Sequence, residues 1–88
     1  MIHKLKTWPK YFAMVDLGLK TFELRKDDRG FQLGDTLVLQ EYLPDEKRYT
    51  GNEIRVSVVC ILSHQDVPGL VPGYVVLGFE ILARYGVR

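Results

Sequence analysis

Residues 54–62 read IRVSVVCIL, an unbroken run in which Ile54, Val56, Val58, Cys60 and Leu62 occupy alternate positions. A period of two, carried largely by β-branched residues, is the pattern of a strand with one face in a core. Such a strand is not stable alone and must find sheet partners elsewhere in the chain. Candidates recur. In YVVLGFEIL, from Tyr74, the residues Val75, Leu77, Phe79 and Ile81 alternate with Tyr74, Val76, Gly78, Glu80 and Leu82. A glycine in mid-strand, Gly78, predicts a bulge or a sharp bend there. TLVLQEY, from Thr36, places Leu37, Val38 and Leu39 on both faces, as in the middle of a sheet. MIHKLKTW is a short opening strand patterned on Ile2 and Leu5.

One segment has helical punctuation. In TWPKYFAMVDLGLK, Thr7 is placed to cap, Pro9 suits the first turn, and Gly18 suits the left-handed position past the end. Trp8, Tyr11, Phe12 and Val15 fall at i, i+3, i+4 and i+7, one face of a helix of two to three turns. A helix that short must be held by packing against the sheet. DDRGFQLGD supplies turn chemistry, LPDEKRYTGNE reads as a long polar hairpin loop, and SHQDVPGLVPG as a loop with two prolines. The order is strand, helix, then four strands. It predicts a mainly β (α+β) fold, a small and mostly antiparallel barrel with one N-terminal helix at an end. A doubly wound sheet is not expected, because only one helix is available as a crossover.

The chain has 88 residues and is read as one domain, 1–88. Its 47% hydrophobic content is enough for a core that needs no metal or disulfide. Twelve basic residues against 11 acidic ones, a net charge of +1, exclude a generally basic coat for nucleic acid. Binding to RNA would require a local patch. The lone Cys60 is read as a small buried hydrophobe. The first ten residues hold three lysines and no apolar block, and no apolar run approaches the roughly 20 residues of a membrane span. Neither a leader nor a membrane helix is expected, and the expected location is cytoplasmic. His3 and His64 have no ligand-spaced partners, so no metal site is expected. VPGLVPGYVVLG lacks the Lys-Ser or Lys-Thr of a phosphate-binding loop, and no cofactor is expected. Ser63 and His64 are adjacent and point apart if extended, which defeats a catalytic triad.

The local patch is GLKTFELRKDDRG, residues 18–30, where Phe22 and Leu24 point one way and Thr21, Glu23 and Arg25 the other. Arg25 offers a planar fork of donors suited to a phosphate or a base edge, and Lys20 a point charge. Glu23 and Arg25, two apart on one strand face, are close enough to pair. Pairing fixes the arginine and leaves carboxylate lone pairs for an exocyclic amine. Lys6 and Trp8 arrive from the opening strand, Lys26 and Arg29 add charge, and Tyr74 is placed to reach a cleft mouth. Basic groups beside an aromatic ring suit a stacked base. The plainer reading is a solvated Glu23–Arg25 pair worth about 0.2–1 kcal/mol. The residues alone leave both open.

The spacing Gly18-x-Lys20-x-x-Glu23-x-Arg25 resembles the signature of ASCH domains (activating-signal-cointegrator homology), in the PUA-like superfamily of RNA-associated barrels. The order of helix, KTFELRK, GD, YTG and GYVVLG is similar to that of compact bacterial and phage domains of the group, over nearly the whole chain. The resemblance implies a PUA-like pseudo-barrel whose helix and signature strand flank a cleft for RNA or a nucleotide. One related group hydrolyses N4-acetylcytidine with a lysine, a threonine and a glutamate. The lysine matches Lys20, the threonine's place is taken by Glu23, and the glutamate's insertion has no counterpart here. A hydrolase would therefore use Lys20 as a catalytic group with Glu23 as proton shuttle, and Glu41 or Glu80 as the nearest further carboxylate. A third possibility is a protein-interaction adaptor using the LPDEKRYTGN hairpin, whose tip reads as a solvated charge run with Lys47 and Arg48 placed to touch a phosphate backbone.

Overall fold

In the computed structural model, which describes residues 1–86, five strands form one curled half-barrel sheet beside a single short helix. The elements are β1 (Ile2–Thr7), α1 (Pro9–Asp16), β2 (Phe22–Lys26), β3 (Thr36–Leu43), β4 (Arg48–Leu62) and β5 (Tyr74–Tyr85). The order across the sheet is β1-β3-β4-β5-β2. β1 and β3 run parallel, and every other pairing is antiparallel. The parallel pair is possible because the chain leaves β1 through α1 and β2 before returning beside it, and parallel neighbours need a long crossover.

The concave face closes on one core: Leu5, Phe12, Val15, Phe31, Leu37, Leu39, Ile54, Val56, Val58, Val75, Leu77 and Phe79. Each such side chain contributes about 1.5–3 kcal/mol before conformational entropy is counted. β3 lies between β1 and β4, and its Leu37, Val38 and Leu39 are all buried, as its two-sided apolar pattern required. β5 buries Val75, Leu77 and Phe79, with Ile81 packed against them. Gly18 sits at φ 75° just past α1 and donates to the Val15 carbonyl at 3.0 Å. Arg84 of β5 ties down the same helix end, donating to the Asp16 carboxylate at 2.7 Å and to its carbonyl at 2.9 Å.

Several sequence expectations need correction. Thr7 does not cap α1; it is the last, buried residue of β1, and Trp8 takes the N-cap position at φ −67°, ψ 151°. Pro9 is the cause, since the residue before a proline is driven to extended backbone. β4 starts at Arg48, so only residues 44–47 form the hairpin turn. The polar stretch from Thr50 to Asn52 stays in the ladder because Glu41 Oε1 accepts from Thr50 Oγ1 at 2.8 Å and from Asn52 Nδ2 at 3.1 Å, where the register shifts. Two further shifts fall in the β4–β5 ladder, between Arg55 and Val56 and between Val58 and Cys60, the latter opposite Gly78. A side chain on Gly78 would come within 3.2 Å of the Cys60 Cβ, and Cys60 would have to give way by a few tenths of an ångström to admit it. One extra residue reverses the facing of everything after it. Ile61 therefore packs on the core, whereas Cys60 and Leu62 are exposed, against the reading of Cys60 as a buried hydrophobe.

In β1 the inward residues are His3, Leu5 and Thr7, and Ile2 is exposed. His3 Nε2 donates to Asp35 Oδ2 at 2.8 Å, and its ring meets Phe31 edge-on at 4.8 Å. Asp35 also accepts from the Gln32 backbone N–H at 3.0 Å and from the Met1 ammonium at 3.0 Å. These bonds pin the turn that leads into β3.

Candidate functional site

β1 and β2 end the sheet, so each has one side unpaired by another strand. The curl brings these two edges together. Arg25 Nη2 donates to the Lys6 carbonyl at 2.7 Å, and Arg29 Nη1 to the Lys4 carbonyl at 2.8 Å. Carbonyls two residues apart on a strand point the same way, so the two guanidinium groups stand where ladder donors are missing. An exposed edge is thereby covered.

Beside this seam lies a cleft of about 520 Å³, within the usual range for small-ligand sites. Lys6, Thr7, Trp8 and Tyr11 line it from the β1–α1 side; Lys20, Phe22, Glu23, Leu24 and Arg25 line it from the β2 side. Consecutive residues of β2 contribute although strand side chains alternate, because the cleft straddles a strand edge. Glu23 is only 5% exposed, whereas Phe22 and Leu24 are exposed. The charged side of β2 is thus turned inward and its apolar side outward.

The reason is a closed ionic network. Glu23 Oε1 accepts from Lys20 Nζ at 2.6 Å, and Oε2 accepts from Arg25 Nε at 3.0 Å. Lys20 Nζ also donates to the Phe22 carbonyl at 2.6 Å and lies 5.1 Å from the centre of the Phe22 ring. Two cations flank one carboxylate, and among the described residues no buried side-chain polar atom lacks a partner. A solvated surface pair does not describe this arrangement. Burial makes the carboxylate costly without its partners, so each cation holds the other two groups in place.

Of the side chains singled out from sequence, Lys6, Trp8, Lys20, Glu23 and Arg25 line the one cleft. Lys6 contributes its carbonyl to the seam, while its ammonium lies 4.4 Å from the Tyr42 ring centre. Lys26 and Arg29 line a second, smaller cavity of about 160 Å³, which Arg25 shares. Tyr74 lines neither; it stands opposite Lys26 in the β2–β5 ladder. Four lining residues were not singled out: Thr7, Tyr11, Phe22 and Leu24. Tyr11 was assigned to the core stripe of α1, but α1 buries Phe12 and Val15 and leaves Trp8 and Tyr11 exposed toward the cleft. The further carboxylates considered for hydrolysis are elsewhere. Glu41 is engaged by Thr50 and Asn52, and Glu80 is exposed on β5. Among the described residues no three His, Cys, Asp or Glu are grouped to hold a metal, and no described helix is long and apolar enough to cross a membrane.

The site therefore offers exposed aromatic and aliphatic walls and a narrow polar strip of fixed donors and acceptors. A protein of Escherichia phage P2, the "Uncharacterized 12.9 kDa protein in GpA 3'region", is 35% identical over 65 residues, 74% of this chain. The chain spans 58% of that relative's length. A family model described as a domain of unknown function, DUF3850, matches residues 2–79, which takes in the seam, the cleft and most of the sheet. The chain belongs to the DUF3850 family.

Proposed function

We propose that the cleft binds an unpaired nucleobase, presented by single-stranded RNA or by a nucleotide, on a barrel of the PUA-like, ASCH type. The observation that carries this reading is the pairing of exposed rings with a buried acceptor–donor strip. Trp8 (56% exposed), Tyr11 and Phe22 line the same cleft as the Lys20–Glu23–Arg25 network. Stacking on an aromatic ring is worth about 1–3 kcal/mol per base. Glu23 has lone pairs left to accept from an exocyclic amine, and Arg25 Nη1 has no partner among the described residues. A cleft with one carboxylate, both of whose oxygens are already engaged, gives less support to an amidohydrolase acting on a modified nucleoside. Neither the cleft nor the smaller cavity is lined by the 44–47 turn that the adaptor reading would use.

Trp8 is the only tryptophan in the chain, so its fluorescence reports on the cleft alone. Short single-stranded RNA should quench it saturably, and a duplex of the same sequence should not. Phe22→Ala should weaken the quenching about tenfold. An unchanged Trp8 signal at saturating single strand would remove the reading.

A further inference from the structure

The cavity beside the cleft differs from it in chemistry. Leu5 and Phe31 contribute apolar walls, and Arg25, Lys26, Arg29 and Asp28 supply the charge. Three cations against one carboxylate exceed the net +1 of the whole chain, so this is a concentration of charge and not background. The carboxylate is a weak counterweight, because Asp28 is 65% exposed and 3.9 Å from Arg29 Nε. Lys26 has no ion pair among the described residues.

The loop that shapes this cavity is already fixed. Asp27 N donates to the Gly73 carbonyl at 2.8 Å, Asp28 N to the Lys26 carbonyl at 3.0 Å, and Phe31 N to Asp27 Oδ1 at 3.1 Å. Arg29 is held by the Lys4 carbonyl. An anion entering here meets the Arg25 and Arg29 guanidinium groups already held, so their ordering cost has been met by the fold. Arg25 stands in the walls of both cavities, with Nε and Nη2 committed to Glu23 and Lys6 and Nη1 without a partner among the described residues.

We infer that the smaller cavity is a phosphate subsite, so that the protein recognises a phosphorylated nucleotide, base in the cleft and phosphate against Lys26, Arg29 and Arg25. The inference rests on the base-binding reading of the cleft, and the two have separate signatures. Guanidinium and ammonium donors around a small cavity match a tetrahedral anion. The sharing of Arg25 sets base and phosphate on adjoining sites.

The test is amide-resolved NMR of the whole chain at low salt, with inorganic phosphate, adenosine, adenosine 5′-monophosphate and adenosine 3′-monophosphate as probes. Phosphate alone should shift the amides of Lys26, Asp28 and Arg29 and leave the Trp8 indole N–H in place. Adenosine should do the reverse. One monophosphate should move both sets and bind about tenfold tighter than adenosine, which also tells which ester position reaches the subsite. Lys26→Ala should abolish that advantage without weakening adenosine. Equal affinity for adenosine and both monophosphates, with the Lys26 and Arg29 amides unmoved, overturns the subsite and leaves the base cleft standing. Shifts at Lys26 with phosphate but none at Trp8 with adenosine overturn the cleft reading, and the nucleotide assignment with it.

Discussion

Arg25 Nη2 donates to the Lys6 carbonyl at 2.7 Å while Nε of the same guanidinium holds Glu23 at 3.0 Å. One side chain therefore closes the sheet between its two edge strands and also builds the polar strip of the cleft. Fold and site share a residue, and substitutions must be chosen with that in view.

Arg25→Ala should lower stability as well as ligand affinity. It leaves the Lys6 carbonyl unpaired at the seam and deprives buried Glu23 of one partner, for a loss of about 1–3 kcal/mol. At this chain length each kcal/mol corresponds to about 4–8 °C in Tm. Lys26→Ala, which breaks no bond among the described residues, should stay within about 0.5 kcal/mol of the parent. Calorimetry of both variants decides it, and an unchanged Tm for Arg25→Ala would mean the seam bond is idle.

Glu23→Gln keeps the shape of the side chain and removes its charge. Lys20 and Arg25 then repel across a neutral amide, and stability should fall by about 1–3 kcal/mol. The carboxylate is also the acceptor assigned to an exocyclic amine. The parent should favour adenosine or cytidine over uridine by about tenfold, and Glu23→Gln should erase most of that preference. Equal binding of all three nucleosides by the parent would contradict the role given to Glu23.

Acid should act through Asp35. Its hydrogen bond from His3, then those from the Met1 ammonium and the Gln32 N–H, outweigh burial and hold its carboxyl down to about 2, below the ordinary 3.8. A depressed carboxyl contributes stability that is complete above the unfolded value and is lost as pH falls toward the folded one. The loss should run from near pH 4 down to about 2. Urea unfolding across that window should show a steeper decline for the parent than for Asp35→Asn, which starts less stable. Parallel pH profiles would rule this contribution out.

Cys60 offers a direct check on the bulge. Because it is exposed, it should react with a thiol reagent in the native state. Protection until unfolding would restore the unbulged register, with Cys60 facing the core.

The strands that alternate without interruption were readable from sequence. β3 with its two-sided apolar run and β5 with its inward set fold as their patterns require. Gly78 marked the bulge, but its consequence, the reversal that exposes Cys60 and turns Ile61 inward, depends on which strand gains the residue. That is a property of the pair, not of either strand. The start of β4 was hidden because Thr50 and Asn52 read as turn residues, and only Glu41 across the ladder gives them strand partners. His3 was missed for the same reason, since its partner Asp35 is distant in sequence. At the site, Lys20, Glu23 and Arg25 announced themselves by spacing. The inward turn of Glu23 and the exposure of Phe22 and Leu24 did not, because hydrophobicity alone assigns the faces of β2 the other way round.

The most direct test is a crystal structure with a short single-stranded RNA bound. The account predicts one base against Trp8, Tyr11 and Phe22, its edge on Glu23 and Arg25, with an adjoining phosphate beside Lys26 and Arg29. RNA bound elsewhere on the surface, with the cleft beside Arg25 empty, would contradict it.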